Sequence, residues 1–341
     1  MSLNFQRGQS PFIIAEIAQT HDGNINFAHA FIDAVAKTGA NAIKFQTHIA
    51  AEESTPAEQW RVEFSRQDLS RYDYWHRMEF RLDQWIELKK HADEVGLAFL
   101  SSPFSIAAIE LLEGIDVPAW KIGSGEVLSE RMLDRMAETK KPIIMSSGMS
   151  HLNEIDVLVH RLMERKVNHV LMQCTTGYPT SMEQVGLNII EEFQKRYDCA
   201  IGLSDHSGTI WPTVAAMSMG ATVIEVHATM SKDMFGPDVS SSVTMDELKQ
   251  IMEAAHAIHT MCQNPIDKTT LTPNLKRMRR LFMKSIVASK DIEAGTELNL
   301  ENITEKKPGT GIPGHRINEF IGKTLTQNIK CDEQLTEEYV S

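Results

Sequence analysis

Cysteine is scarce in this 341-residue chain: Cys174, Cys199, Cys262 and Cys331 are the only four, and no two form a CxxC pair. That spacing excludes a zinc knuckle and a disulfide scaffold, and it points to a reducing compartment, the cytoplasm. Long hydrophobic runs are missing as well, since no stretch approaches the length of a membrane span. The segment after Met1 lacks the basic-then-apolar order of a signal peptide. Positive charge is in deficit: 34 Lys and Arg stand against 46 Asp and Glu, for a formal net charge of −12. Such a balance excludes a general nucleic-acid or anionic-membrane binder, whose affinity comes from clustered basic residues. An anionic small molecule would therefore need a local basic pocket, which makes lysines in apolar surroundings the residues to locate.

What the chain does have is apolar material, 42% of its residues. Its length exceeds the size at which one core usually stops growing, so one large domain and one small one are expected. Eight short runs rich in Ile, Val, Phe and Ala stand out: FIIAEIA from Phe12, AIKFQTH from Ala42, AFLSSPF from Ala98, AWKIGS from Ala119, PIIMSSG from Pro142, HVLMQCTT from His169, AIGLSDH from Ala200 and VIEVHAT from Val223. Segments of helical periodicity separate most of them, such as those beginning at Asn26, Ile106 and Trp211. Alternating strand and helix imply a parallel sheet. Eight units over this length fit a closed (β/α)₈ TIM barrel better than an open doubly wound sheet.

From Ser285 onward the texture changes to short apolar runs punctuated by Gly and Pro. The expected organisation is a barrel over residues 1–265, a basic connector over 266–284 and a small module over 285–341. A module of that size is marginal alone, so docking onto a barrel, its own or another chain's, would help to stabilise it. The connection from about Ala50 to Arg81, with Trp60, Tyr72, Tyr74 and Trp75, is longer than usual and reads as a lid or an interaction surface.

In a barrel of this kind the C-terminal strand ends converge on one face, where active sites are built. His206 and His227 close the seventh and eighth runs; if those strands are neighbours, two imidazoles share one rim and can reach a single divalent metal, the alternative being that each satisfies only a local hydrogen bond. Lys44 and Lys121 lie within strand-like runs, a costly position unless each is paired or meets a ligand. With Ser102, Ser124, Ser146 and Ser204 they describe a pocket for phosphate and carboxylate oxygens together. Internal ion pairs with Glu16 or Glu126 are the structural alternative. Glu16 is the best acid–base candidate. Asp205 reads either as an orienter of an imidazole or as a lysine partner.

These residues carry a resemblance. The segments AEIAQTHDGN, IKFQTH, FLSSPFS, PAWKIGSGE, KPIIMSSGMS, QCTTGYPT, GLSDHS, EVHATM with GPD, and terminal KKPGTGI with FIGK make the chain similar to the sialic acid synthase family over nearly its whole length. That family condenses phosphoenolpyruvate with N-acylated amino sugars to give nonulosonic acids. The resemblance implies a (β/α)₈ barrel followed by a C-terminal SAF, or antifreeze-like, domain that covers the partner's site in a domain-swapped homodimer. It implies a divalent metal on His206 and His227, most often manganese, with magnesium or cobalt as alternatives. It places phosphoenolpyruvate on Lys44, Ser102, Lys121, Ser124, Ser146 and Ser204, and makes Glu16 the catalytic carboxylate. Gln46, Tyr178, Asp238 and Lys307 fall at positions that handle the acceptor sugar.

Departures from the family pattern fall mostly on the acceptor side. Thr176 stands where asparagine is usual, Ser102 where threonine is common, and Lys307 where arginine is expected. QTHDG replaces the more usual segment after Glu16, and Val239 follows GPD where histidine is frequent. Lysine lacks the planar fork of guanidinium and holds an amide or hydroxyl less rigidly. The expected acceptor is N-acetylmannosamine. A legionaminic or pseudaminic acid synthase, a metal-dependent aldolase or lyase on the same barrel, and a carbohydrate-binding protein without catalysis are the competing expectations.

Overall fold

The computed structural model describes residues 3–341. Two compact units compose it, one ending at Asn264 and the other spanning Pro265–Ser341.

The first unit holds eight parallel strands: β1 (Phe12–Ala18), β2 (Ala42–Thr47), β3 (Ala98–Pro103), β4 (Trp120–Ile122), β5 (Ile143–Ser146), β6 (His169–Cys174), β7 (Ala200–Asp205) and β8 (Val223–Thr229). Each falls on one of the eight apolar runs. The ladder runs β3-β2-β1-β8-β7-β6-β5-β4. Its two ends, β3 and β4, lie side by side and so bring the sheet round into a barrel, but they form no registered ladder with each other. A short strand, β9 (Ser242–Thr244), adds to β8.

The strands read as near-continuous hydrophobic runs because both their faces are covered. Outward-facing residues such as Ile13, Phe45, Phe99 and Ile143 pack against helices. The helix Ile25–Ala36 shows how: Asn24 caps it by accepting from the Asn26 amide, and Ala28, Phe31, Ile32 and Val35 recur at a spacing that turns one stripe to the sheet. Helix Met245–Gln263 begins in a capping box in which Thr244 and Glu247 bond each other's backbone amides.

Inward-facing residues form a second core that plugs the barrel's N-terminal half: Ile14, Ala42, Leu100, Ala119, Ile144, Met172 and Val223, with Phe5 packed among them. Side chains two apart on a strand share a face. Two residues beyond each member of this layer the chemistry switches, to Glu16, Lys44, Ser102, Lys121, Ser146, Cys174 and Glu225. Gly202 supplies the matching position on β7, where a Cβ would lie 2.4 Å from the Val223 carbonyl oxygen, and Ser204 follows it. The apolar plug is thus the floor on which a polar ring is mounted.

The second unit pairs strands Ser285–Ala288 and Ile303–Lys306 antiparallel around its own core of Ile286, Leu298, Phe320, Leu325 and Leu335. The segment read from sequence as a connector contains a helix, Pro273–Phe282, capped by Thr272. Among the described residues no helix is long and apolar enough to cross a membrane.

Candidate active site

A cavity of about 350 Å³ opens at the C-terminal ends of the strands. Of the thirteen residues given a catalytic, binding or metal role from sequence, twelve line it: Glu16, Lys44, Gln46, Ser102, Lys121, Ser124 and Ser146 from the first half of the chain, and Tyr178, Ser204, His206, His227 and Asp238 from the second. Lys307 belongs to the second unit, where its ammonium stands 5.4 Å from the centre of the Phe282 ring.

At the bottom of the cavity two lysines and two carboxylates are buried together. Lys44 donates to Glu16, and its Nζ is 3.9 Å from Glu225 Oε2. Lys121 Nζ is 3.4 Å from Glu225 Oε1 and donates to Ser146 Oγ at 2.9 Å and to the Ile122 carbonyl at 3.2 Å. Ser204 Oγ donates to the same Glu225 oxygen at 3.2 Å. Lysines this deep keep their charge only with such partners. Burial pulls the Lys44 ammonium down, but Glu16 and Glu225 outweigh it and raise its pKa.

The two carboxylates diverge. Burial raises Glu16 to about 7 even though Lys44 stands beside it and opposes the shift, with Glu225 adding to it. Burial also acts to raise Glu225, but Lys121 and Lys44 together overcome it and hold that carboxyl well below the usual range. One carboxylate is therefore a fixed anion and the other sits near neutrality, the division of labour expected of an acid–base pair. Glu225 takes the place that sequence reasoning gave to Glu126, for which no ion pair with either lysine forms among the described residues. The signal was available: on β8, Glu225 lies two residues before His227 and shares its inward face.

Above this layer the His206 and His227 rings stand 5.2 Å apart, centre to centre, with Tyr178 packed 4.4 Å from the first and 6.0 Å from the second. Burial drives both imidazoles down to about 3; His227 adds to the effect on His206, and Lys44 to that on His227. Neutral imidazoles with free lone pairs suit a divalent transition metal. Glu225 Oε2, buried and with no hydrogen-bond partner among the described residues, adds an acceptor to the same space. Among the described residues no three His, Cys, Asp or Glu side chains come close enough to make a complete cage. The donor set thus fits an ion that draws its other ligands from substrate or water. Asp205 faces away from this pair: its carboxylate accepts from the backbone and hydroxyl of Ser207, so it neither orients His206 nor pairs with a lysine.

The long connection after β2 forms the outer wall. It contributes Glu53, Glu58, Arg61, Arg71 and Trp75 to the lining, which makes it a lid rather than a remote surface. Tyr74, Trp75 and Met78 of the helix Arg71–Met78 pack with Ala50 and Trp60 to hold it together. Arg61 donates to Asp238 Oδ1 at 2.6 Å and lies 4.0 Å above the Tyr178 ring, clamping two of the expected acceptor residues. Sequence reasoning missed Arg61, Glu225 and His48.

With the geometry in place, comparison with known proteins settles the kinship. The NeuB family model matches residues 31–267, and the SAF domain model matches residues 284–340. The chain belongs to the NeuB family. An N,N'-diacetyllegionaminic acid synthase of Campylobacter jejuni is 34% identical to this NeuB-family chain over 331 residues, covering 95% of it and 98% of the relative. The N-acetylneuraminate-9-phosphate synthase of Homo sapiens is 32% identical, covering 98% of this chain and 94% of its own. Among solved structures, the N-acetylneuraminic acid synthetase of Leptospira borgpetersenii superposes with a TM-score of 0.69 at 26% identity, covering 80% of this chain and 90% of that one. Membership carries the family's general chemistry, condensation onto phosphoenolpyruvate to make nonulosonic acids.

Proposed function

We propose that this chain condenses phosphoenolpyruvate with an N-acylated amino sugar, N-acetylmannosamine first among them, to give N-acetylneuraminate or a close relative and phosphate. The observation that carries the proposal is the pairing of Lys44 and Lys121, buried around the shared anion Glu225, with two neutral imidazoles in the same cavity. Family membership supports the reaction class, and the relatives' names span several nonulosonic acids.

Lys44 and Lys121 supply the positive charge that a phosphate ester and its carboxylate need, and Ser102, Ser124, Ser146 and Ser204 add hydroxyl donors around them. This grip aligns C3 of the enol ester with the acceptor's aldehyde carbon, replacing a collision in water by a held approach. His206 and His227 would hold the divalent ion, with manganese as the expected metal. What such an ion supplies there is polarisation of the acceptor's carbonyl. As the C–C bond forms, electron density leaves the enol and C2 becomes open to water. Glu16, poised near neutrality, takes a proton from that water or returns one to the new hydroxyl. Loss of phosphate from C2 then leaves the 2-keto acid.

The test is phosphate release from phosphoenolpyruvate with a panel of N-acyl sugars and with manganese, magnesium or cobalt, followed by the mass of the product. A lyase or aldolase would release no phosphate, and a catalytically silent sugar binder would bind without turnover. His206→Ala is expected to abolish release while the protein stays folded; near-wild-type turnover by that variant would overturn the metal assignment. A domain-swapped homodimer, in which the SAF domain brings Lys307 to an acceptor site, belongs to the same proposal, and sedimentation measures it.

A further inference from the structure

His48, directly after β2, is held from every side. Its ring is stacked between the Trp75 indole of the lid, 3.9 Å away at 15°, and Phe104 beyond β3, 4.4 Å away at 8°. Its Nδ1 lies 2.5 Å from Glu53 Oε1, and the other oxygen of Glu53 accepts from the Ile49 amide. The other ring nitrogen, Nε2, lies 2.7 Å from Gln19 Nε2 and 3.2 Å from Gln46 Oε1. The same Gln19 amide donates to Gln46 Oε1, and Gln46 Nε2 donates to Glu16 Oε1 at 3.0 Å. A continuous hydrogen-bonded chain thus runs from the lid carboxylate Glu53 through His48, Gln19 and Gln46 to Glu16.

We propose that His48, fixed by Glu53 and by its two aromatic neighbours, is a positioning residue for the acceptor sugar, acting on the Gln46 amide both directly and through Gln19. The proposal rests on the condensation reading above. An amide can turn over with little change of shape, and only its partners decide which end faces the substrate. Here His48 and Gln19 together hold the Gln46 oxygen to one side, and the Gln46 N–H is left for Glu16. Amides and a carboxylate make this patch a place for hydroxyl and acylamino groups. It repels an anion, which belongs on the two lysines instead. His48 therefore bears on the neutral substrate and leaves phosphoenolpyruvate alone.

His48→Phe keeps the three-ring stack and removes both nitrogens. The expected result is a rise of about tenfold in the acceptor KM, the scale of one net hydrogen bond, with the phosphoenolpyruvate KM within about twofold and the melting temperature little changed. Gln19→Met should give the same split, and the double variant should be no worse than either single one, because both act on one chain. His48→Gln, which retains an acceptor atom, should recover part of the loss; if His48→Phe does not fold, this variant and Gln19→Met carry the test. An unchanged acceptor KM, equal rises for both substrates, or additive single effects would overturn the proposal. If the unsubstituted protein releases no phosphate with any acceptor, the condensation reading itself falls, and the role of His48 falls with it.

Discussion

The floor and the outer wall of the cavity are made in opposite ways. On the floor, every functional side chain projects from a strand or a strand end, two residues past an apolar plug, and Lys44, Lys121 and Glu225 are locked by one another. On the wall, Arg61, Glu58 and Trp75 ride on a connection held by its own contacts, such as Trp75 with Glu58, and by pairs to other loops, such as Arg61 with Asp238. Strand-borne charges have nowhere else to go, whereas loop-borne charges can exchange partners. On the condensation reading proposed above, the difference puts chemistry on the floor and substrate choice on the wall.

The largest expected effect comes from removing a floor cation. Lys121→Met leaves Glu225 with one lysine in place of two and should lower kcat/KM by about a thousandfold, the scale of one preorganised electrostatic contact. A much smaller loss in phosphate-release kinetics would break the comparison. Next is Gly148→Ala. The added Cβ would lie 2.5 Å from Thr176 Oγ1, 2.7 Å from Ser124 Oγ and 2.9 Å from Cys174 Sγ, so Ser124 must move. Displacement of that order should cost about a hundredfold in kcat/KM, with the rise expected in the phosphoenolpyruvate KM.

Arg61→Met tests the wall. Loss of its bond to Asp238 and of the contact with Tyr178 should raise the acceptor KM about tenfold and leave phosphoenolpyruvate unaffected. The smallest effect concerns how the lid is held. Asp68 accepts three hydrogen bonds from Arg77, which also pairs with Asp22, and those bonds set its carboxyl below the ordinary range against the opposing effect of burial. A carboxyl lowered in the folded state contributes stability that is present above its unfolded pKa and is lost as pH falls through the folded one. The fluorescence of Trp60 and Trp75 should therefore report lid loosening below about pH 4, and Asp68→Asn should loosen the lid at neutral pH and remove that dependence.

The floor was legible in the sequence because parallel strands covered on both faces leave uninterrupted apolar runs, and a lysine or histidine inside such a run has few explanations. Lys44, Lys121, His206 and His227 announced themselves in that way. Glu225 did not, although the period of two that turns His227 inward turns Glu225 inward as well. The wall was illegible for a physical reason. Arg61 and Asp238 are 177 positions apart, and nothing in either neighbourhood marks the other. His48 was hidden likewise, since its meaning lies in Trp75, Phe104 and Glu53 closing around it, and no spacing in the chain encodes that enclosure.

The seam between β3 and β4 has one more implication. A barrel with seven stitched interfaces and one unstitched has a built-in slit, and amides along that slit should exchange with solvent sooner than those elsewhere in the ring. Ser102 closes one lip and Lys121 stands on the other. A phosphate ester gripped by both would act as a suture, so occupancy of the site should be readable as slowed deuterium uptake along β3 and β4, far from any change in the lid.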